Sequence, residues 1–336
     1  MAPDADPPVE LYPNGGQTVL LVFIALGLQV ATGSTAFAIN YLALGDVDAA
    51  LARLWDPWTL LPVLVISGSL TLALGLRGTH EPARQFLRIR PFPINLLIPV
   101  ALTAVGLAIV LSEVDNCIIN LILLASGKDK PPADLLDMSV SPLGAALLAV
   151  LAAPLLEEYL FRGMILRGLL THYRPLVAIV SASLAFGIVH GNIRQFILAV
   201  VIGAAFGWWF TRTRSVGPGM IGHALFNAVA WGASQFPDVA HPLGLHTAQS
   251  RGEHSPWWFT LGGLALTGLG IWIFHRKAPD LGPEPGPPVI PWTDAEPPLL
   301  AEIPPLAEPP SLNELNEPIV LTEPPELTEP PPLDPQ

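Results

Sequence analysis

Cysteine is nearly absent from this chain of 336 residues: Cys117 stands alone, so an intrachain disulfide and a zinc finger are both excluded. The expectation for Cys117 is a small apolar side chain buried in a helix. Charge is scarce as well. Asp, Glu, Lys and Arg make up 13% of the residues, against about 25% in an ordinary soluble domain. With 51% hydrophobic residues in long runs, that scarcity excludes two soluble domains and a wholly disordered chain, and points to a body embedded in a membrane. Basic residues are missing altogether from one region: residues 278–336 hold 12 acids, no Lys or Arg, and 19 of the 38 prolines. The net charge of −12 therefore belongs to this segment, and the remaining residues balance 16 acids against 16 bases. A neutral body gives no reason to expect a nucleic-acid partner. Residues 1–16 lack the basic stretch of a signal peptide, so the first apolar segment is expected to be retained.

What is present is a series of apolar segments. They fall at 18–44, 58–76, 93–111, 143–160, 176–190, 196–210, 217–236 and 257–274. The fold class expected is all-α, a polytopic transmembrane helical bundle of about eight spans. Four regions follow: an acidic N-terminal segment (1–16), N-terminal transmembrane helices (17–142), a catalytic transmembrane core (143–277), and a disordered acidic, proline-rich tail (278–336). The apolar stretch 117–124 either prolongs the third span or lies in the interface. The polar run Ser112-Glu113-Val114-Asp115-Asn116 is expected at the outer interface, the alternative being that it lines a path for substrate.

Loop charges orient the bundle. Eleven bases follow the even-numbered spans (Arg77, Arg84, Arg88, Arg90; Arg162, Arg167, Arg174; Arg212, Arg214; Arg276, Lys277), against five on the other side (Arg53, Lys128, Lys130, Arg194, Arg251). Both termini are thus expected in the cytoplasm. A composition rich in Ala, Leu and Arg and poor in Lys hints at a bacterial inner membrane.

An ionised side chain in the bilayer centre costs about 2.5–3.5 kcal/mol on insertion scales, so polar residues within the spans are candidates for function. Three groups qualify: Glu157, Glu158 and Arg162 in LLEEYLFRG; His190 in FGIVHGN; His223 and Asn227 in HALFNA. Glu158 and Arg162 are four apart on a helix and can neutralise each other. Glu157 then points about 100° away without that partner, as a general base in a dry cavity would. His223 and Asn227 share a face, as do Phe186 and His190. Three helices could thus aim carboxylate, imidazole and amide into one cavity, able to hold a water or metal and an oxyanion. Taken singly, each motif reads as readily as a helix–helix clamp or hydrogen bond.

The ordered set Glu157-Glu158-x-x-x-Arg162, Phe186-x-x-x-His190 and His223-x-x-x-Asn227 resembles the signature of the CPBP family of intramembrane proteases, which includes the CAAX prenyl endopeptidases and the bacterial Abi-type membrane proteins. The resemblance covers residues 144–236. It implies a water activated by Glu157 and held by His190, an oxyanion stabilised by His223 and Asn227, and orientation by Glu158 and Arg162. The resemblance leaves open whether zinc takes part, with Glu157, His190 and His223 as its ligands, or whether the enzyme is a metal-free glutamate protease. The signatures of other membrane proteases are missing: there is no His-Glu-x-x-His, Gly-x-Ser-Gly or Gly-x-Gly-Asp. The loop histidines His241, His246 and His254 are expected to be solvated. The resulting expectation is an endopeptidase acting on a membrane-associated protein or peptide. The competing one is a non-catalytic membrane protein, a transporter subunit or bacteriocin-immunity-like factor, that keeps the motif geometry.

Overall fold

A computed structural model of the chain describes residues 12–79, 90–128, 138–245 and 252–279. The chain divides into two units, Met1–Pro288 and Val289–Gln336, and every described residue belongs to the first. The proline-rich tail, and the expectation of disorder attached to it, lie outside the described residues apart from its first two positions.

The described residues form helices, turns and connecting coil, with no strand among them. The helix starts and stops follow local chemistry. Helix α1 (Gly15–Leu44) opens on a capping box, in which the Asn14 side chain accepts from the Gln17 amide and the Gln17 side chain accepts from the Asn14 amide, both at 2.9 Å. It closes on Gly45, whose φ of 70° costs a glycine nothing. A short helix, α2 (Val47–Leu54), leads into α3 (Pro57–Thr79). Then come α4 (Leu97–Ser126), a long α5 (Pro142–His172), α6 (Pro175–Ile188), α7 (Ile193–Thr213), α8 (Gly217–Gln235) and α9 (Trp257–Lys277).

Eight of these helices coincide with the apolar segments of the sequence. Six are long and apolar enough to cross a membrane: α1, α3, α4 with the turn before it, α5, α7 and α9. The other two depart for physical reasons. Helix α6 has only 14 residues, and α8 carries His223, Asn227 and Gln235, which dilute its hydropathy. Two spans outrun the sequence expectation. Helix α4 runs on through Ser112–Asn116 and the 117–124 stretch to Ser126, because its polar residues find partners described below. Helix α5 continues past 160 to His172, so Arg162 and Arg167 sit inside a helix and not in a loop.

The bundle has a buried centre and a greasy rim. Of the most apolar window of Ile94–Ser126, 56% is buried, against 17% for α1 and α9. Outward residues of α1 such as Phe23 and Leu42 are 67% and 84% exposed, as suits side chains that face acyl chains. Helices α4 and α9 cross closely: a Cβ on Gly106 would lie 2.7 Å from the Gly263 carbonyl oxygen, so glycine permits the approach. The aromatic core of Phe186, Phe206, Trp209 and Phe274 is completely buried.

Candidate active site

Helix α5 carries the two glutamates, and it is not a regular helix. Its turns widen to the π form at Ala146–Ala152 and again at Tyr159–Leu166, on either side of Ala153–Glu158. In the first wide turn the Ala153 amide reaches the Leu148 carbonyl, five residues back. The next donor in that register would be residue 154, a proline with no N–H. The Ala149 carbonyl is therefore left over, and the Asn227 side chain supplies the missing donor from α8 at 2.7 Å. Widened turns of this kind gather at functional sites.

Glu158 and Arg162 form the expected pair, with Nη1 to Oε1 at 2.7 Å, and both residues are buried. Arg162 also donates to the Gly203 carbonyl at 3.3 Å. Its guanidinium lies 4.7 Å from the ring centre of Phe186 and 5.3 Å from that of Phe206, an aromatic sandwich for a desolvated cation. The same Oε1 of Glu158 faces Nδ1 of His223 at 3.1 Å. The other oxygen, Oε2, is buried without a hydrogen-bond partner and lies against the start of α8, where a Cβ on Gly219 would come within 2.5 Å of it. Any side chain at 219 would displace the carboxylate. The N-terminal end of a helix is also the favourable end for a negative charge.

His223 is thereby fixed on one side and free on the other. With Nδ1–H donated to Glu158, Nε2 points toward Oε2 of Glu157 across 3.8 Å, a gap too wide for a hydrogen bond. Phe186 and Phe206 hold the ring at centroid distances of 5.8 Å and 5.6 Å. Glu157, unlike Glu158, retains 21% of its side-chain exposure. His190 stands at the end of α6, edge-on to the same Phe186 at 5.0 Å. Its Nδ1 meets the Phe186 carbonyl at 2.8 Å, which makes Nδ1 the N–H donor and leaves Nε2 bare. The motif residues therefore converge around Phe186, with Asn227 one turn along α8 and tied to Ala149.

Zinc held by nitrogen and oxygen at about 2.0–2.2 Å keeps its donors about 3.3–3.6 Å apart. His223 and Glu157 approach that spacing. Among the described residues, however, the three-donor group whose ligand atoms all lie within 4.8 Å is Glu113, Cys117 and His254, not Glu157, His190 and His223. As they stand, the motif residues are not a compact zinc set.

One expectation about α4 is corrected here. Cys117 is exposed, not buried, because it lies on the outward face of α4 and not in the core. The 112–116 run is held within the protein: Ser112 and Asn116 both donate to the Gly244 carbonyl, at 3.0 and 2.8 Å. Asp115 takes a two-pronged bond from Arg194, at 2.8 and 2.6 Å. Glu113 accepts from the Ser255 amide at 2.7 Å and pairs with His254 at 2.6 Å, so His254 is not simply a solvated loop residue. His246 lies outside the described residues.

Residues 139–229 match the family model described as type II CAAX prenyl endopeptidase Rce1-like. That segment spans every motif residue from Glu157 to Asn227, so the part of the chain that carries the candidate site is similar to the CAAX-protease family, and it lies within a helical multi-pass bundle. No curated protein and no solved structure matches the chain.

Proposed function

We propose that the protein is an intramembrane endopeptidase that hydrolyses a peptide bond with a water activated by Glu157. The observation that carries this reading is the setting of His223: clamped through Nδ1 by a buried carboxylate, caged by two phenylalanines, and presenting Nε2 to a partly exposed second carboxylate 3.8 Å away. A carboxylate–imidazole pair of this kind fixes a tautomer and stabilises the imidazolium when it forms.

In this reading Glu157 takes one proton from the water, and the bare Nε2 of His190 accepts the other O–H. The hydroxyl oxygen attacks the carbonyl carbon. Negative charge gathers on the carbonyl oxygen, where an Nε2–H of His223 and the second N–H of Asn227 would stabilise it. As the C–N bond breaks, the proton held by Glu157 passes to the leaving nitrogen. Glu158 and Arg162 are positioning residues, acting through His223. No step is routed through zinc. The family match supports peptide hydrolysis at the membrane; the substrate is taken to be a membrane-associated protein or peptide, and a bacterial inner membrane with cytoplasmic termini is the setting that the loop charges and composition favour.

Glu157→Gln tests the mechanism. The swap keeps the shape and removes the base, so cleavage should fall about 10²–10⁴-fold, while thermal stability in detergent stays at the wild-type level because Glu157 is partly exposed. New protein termini in cells expressing wild type, compared with cells expressing the variant, read out the activity even where the substrate is unidentified. An unchanged set of termini would sink the proposed base and favour a non-catalytic scaffold.

A further inference from the structure

The second half of α4 carries another set of ligand-type side chains that the proposed hydrolysis does not use. Glu113 and Cys117 lie one turn apart on the helix, and His254 reaches them from the segment that leads into α9. We propose that Glu113, Cys117 and His254 form a zinc-type divalent cation site that fastens this segment to α4.

The chemistry of the donors sets the choice of ion. One thiolate, one imidazole and one carboxylate match zinc, whereas calcium and magnesium demand oxygen donors alone. Distances agree with modest adjustment. The ligand atoms already lie within 4.8 Å of one another, with Cys117 Sγ 3.9 Å and His254 Nδ1 2.6 Å from Oε1 of Glu113. The 3.9 Å separation is close to the spacing of two donors on one tetrahedral ion. The 2.6 Å contact is a hydrogen bond whose proton occupies the place an ion would take; entry of the ion widens it by about 1 Å.

The surroundings hold the donors in place. Glu113 keeps its second oxygen on the Ser255 amide at 2.7 Å. His254 has Asn120 beside Nε2 at 3.1 Å, and Asn120 is itself anchored on the Gly252 carbonyl at 2.9 Å. Partners of this kind orient the ligands of real metal sites and sustain their affinity. Binding releases the thiol proton and moves the imidazole proton from Nδ1 to Nε2, where water accepts it, since the Asn120 atom beside Nε2 is itself an N–H donor. His254 retains 59% of its side-chain exposure, so a fourth position lies open to water.

The single cysteine makes the test specific, since any metal–sulfur signal must come from Cys117. The full chain, purified in detergent and kept reduced, is titrated with cobalt(II). The expected result is a near-ultraviolet sulfur-to-cobalt absorption that saturates at about one equivalent and is displaced by zinc. It should vanish in Cys117→Ser. His254→Ala and Glu113→Gln should each weaken cobalt and zinc binding at least about tenfold. Glu157→Gln should leave the absorption intact, which separates this site from the one proposed for hydrolysis. Absence of the absorption in the wild type would overturn the site. So would an absorption indifferent to His254→Ala and Glu113→Gln, because it would report the thiol alone.

Discussion

Two clusters in this molecule each pair a glutamate with a histidine and live under different rules. Around Phe186, a glutamate, an arginine and a histidine are sealed from solvent and draw every partner from helices of the bundle. In the second half of α4, a glutamate and a cysteine meet a histidine from the segment before α9, partly in water, with partners on both pieces of chain. In the first, a lost partner leaves a charge that neither water nor lipid can solvate; in the second, water replaces what is removed. Position in the bundle, not composition, decides which glutamate is indispensable.

The sharpest way to break this contrast is Arg162→Ala. It strands the Glu158 carboxylate, which already has one oxygen without a partner, and should lower stability by about 3–5 kcal/mol, read as a large drop in unfolding temperature in detergent. Pairing Arg162→Met with Glu158→Gln removes both charges and should restore much of the stability. Cleavage should stay low in that double variant, since His223 no longer has a carboxylate to hold Nδ1. Full recovery of cleavage would mean that Glu158 serves only as a counter-ion and does not position the histidine.

How much of this can be read from the amino-acid order depends on the range of the interaction. The Glu158–Arg162 pair follows from a four-residue spacing, and the convergence on Phe186 from three ordered motifs, so the buried cluster is largely legible. The Asn227 anchor is not, because it depends on a widened turn and a proline that together orphan one carbonyl. The α4 cluster is legible only as polar residues after an apolar run. Their partners, Arg194, Gly244 and Ser255, lie 79, 128 and 142 residues away in the chain, a distance over which no periodicity carries information. For the same reason the apolar pattern ends α4 near 111 and assigns Cys117 to the interior, where neither belongs.

An intermediate case should give an intermediate effect. The Asp115–Arg194 pair joins α4 to the first turn of α7, with side-chain exposures of 4% and 15%. Arg194 follows the turn that carries His190 and Asn192. Asp115→Ala should destabilise by about 1–3 kcal/mol, less than Arg162→Ala, and should raise hydrogen exchange of the backbone at the start of α7. An effect as large as that of Arg162→Ala would show that burial is not the variable separating the two clusters.

The smallest effect is expected at Glu113. Its partner His254 is mostly exposed, and an ion pair in such a setting is worth about 1 kcal/mol or less. In chelator-treated buffer, Glu113→Gln should therefore unfold close to the wild type. Zinc changes the comparison by mass action: an ion that binds only the folded chain adds about 2.7 kcal/mol at a hundred times its dissociation constant. Wild type should gain that increment and Glu113→Gln should gain much less, so the gap between them opens only when zinc is present. A gap that is already wide in the chelated protein would make the α4 cluster a structural keystone like the buried one, and the distinction between the two would fail.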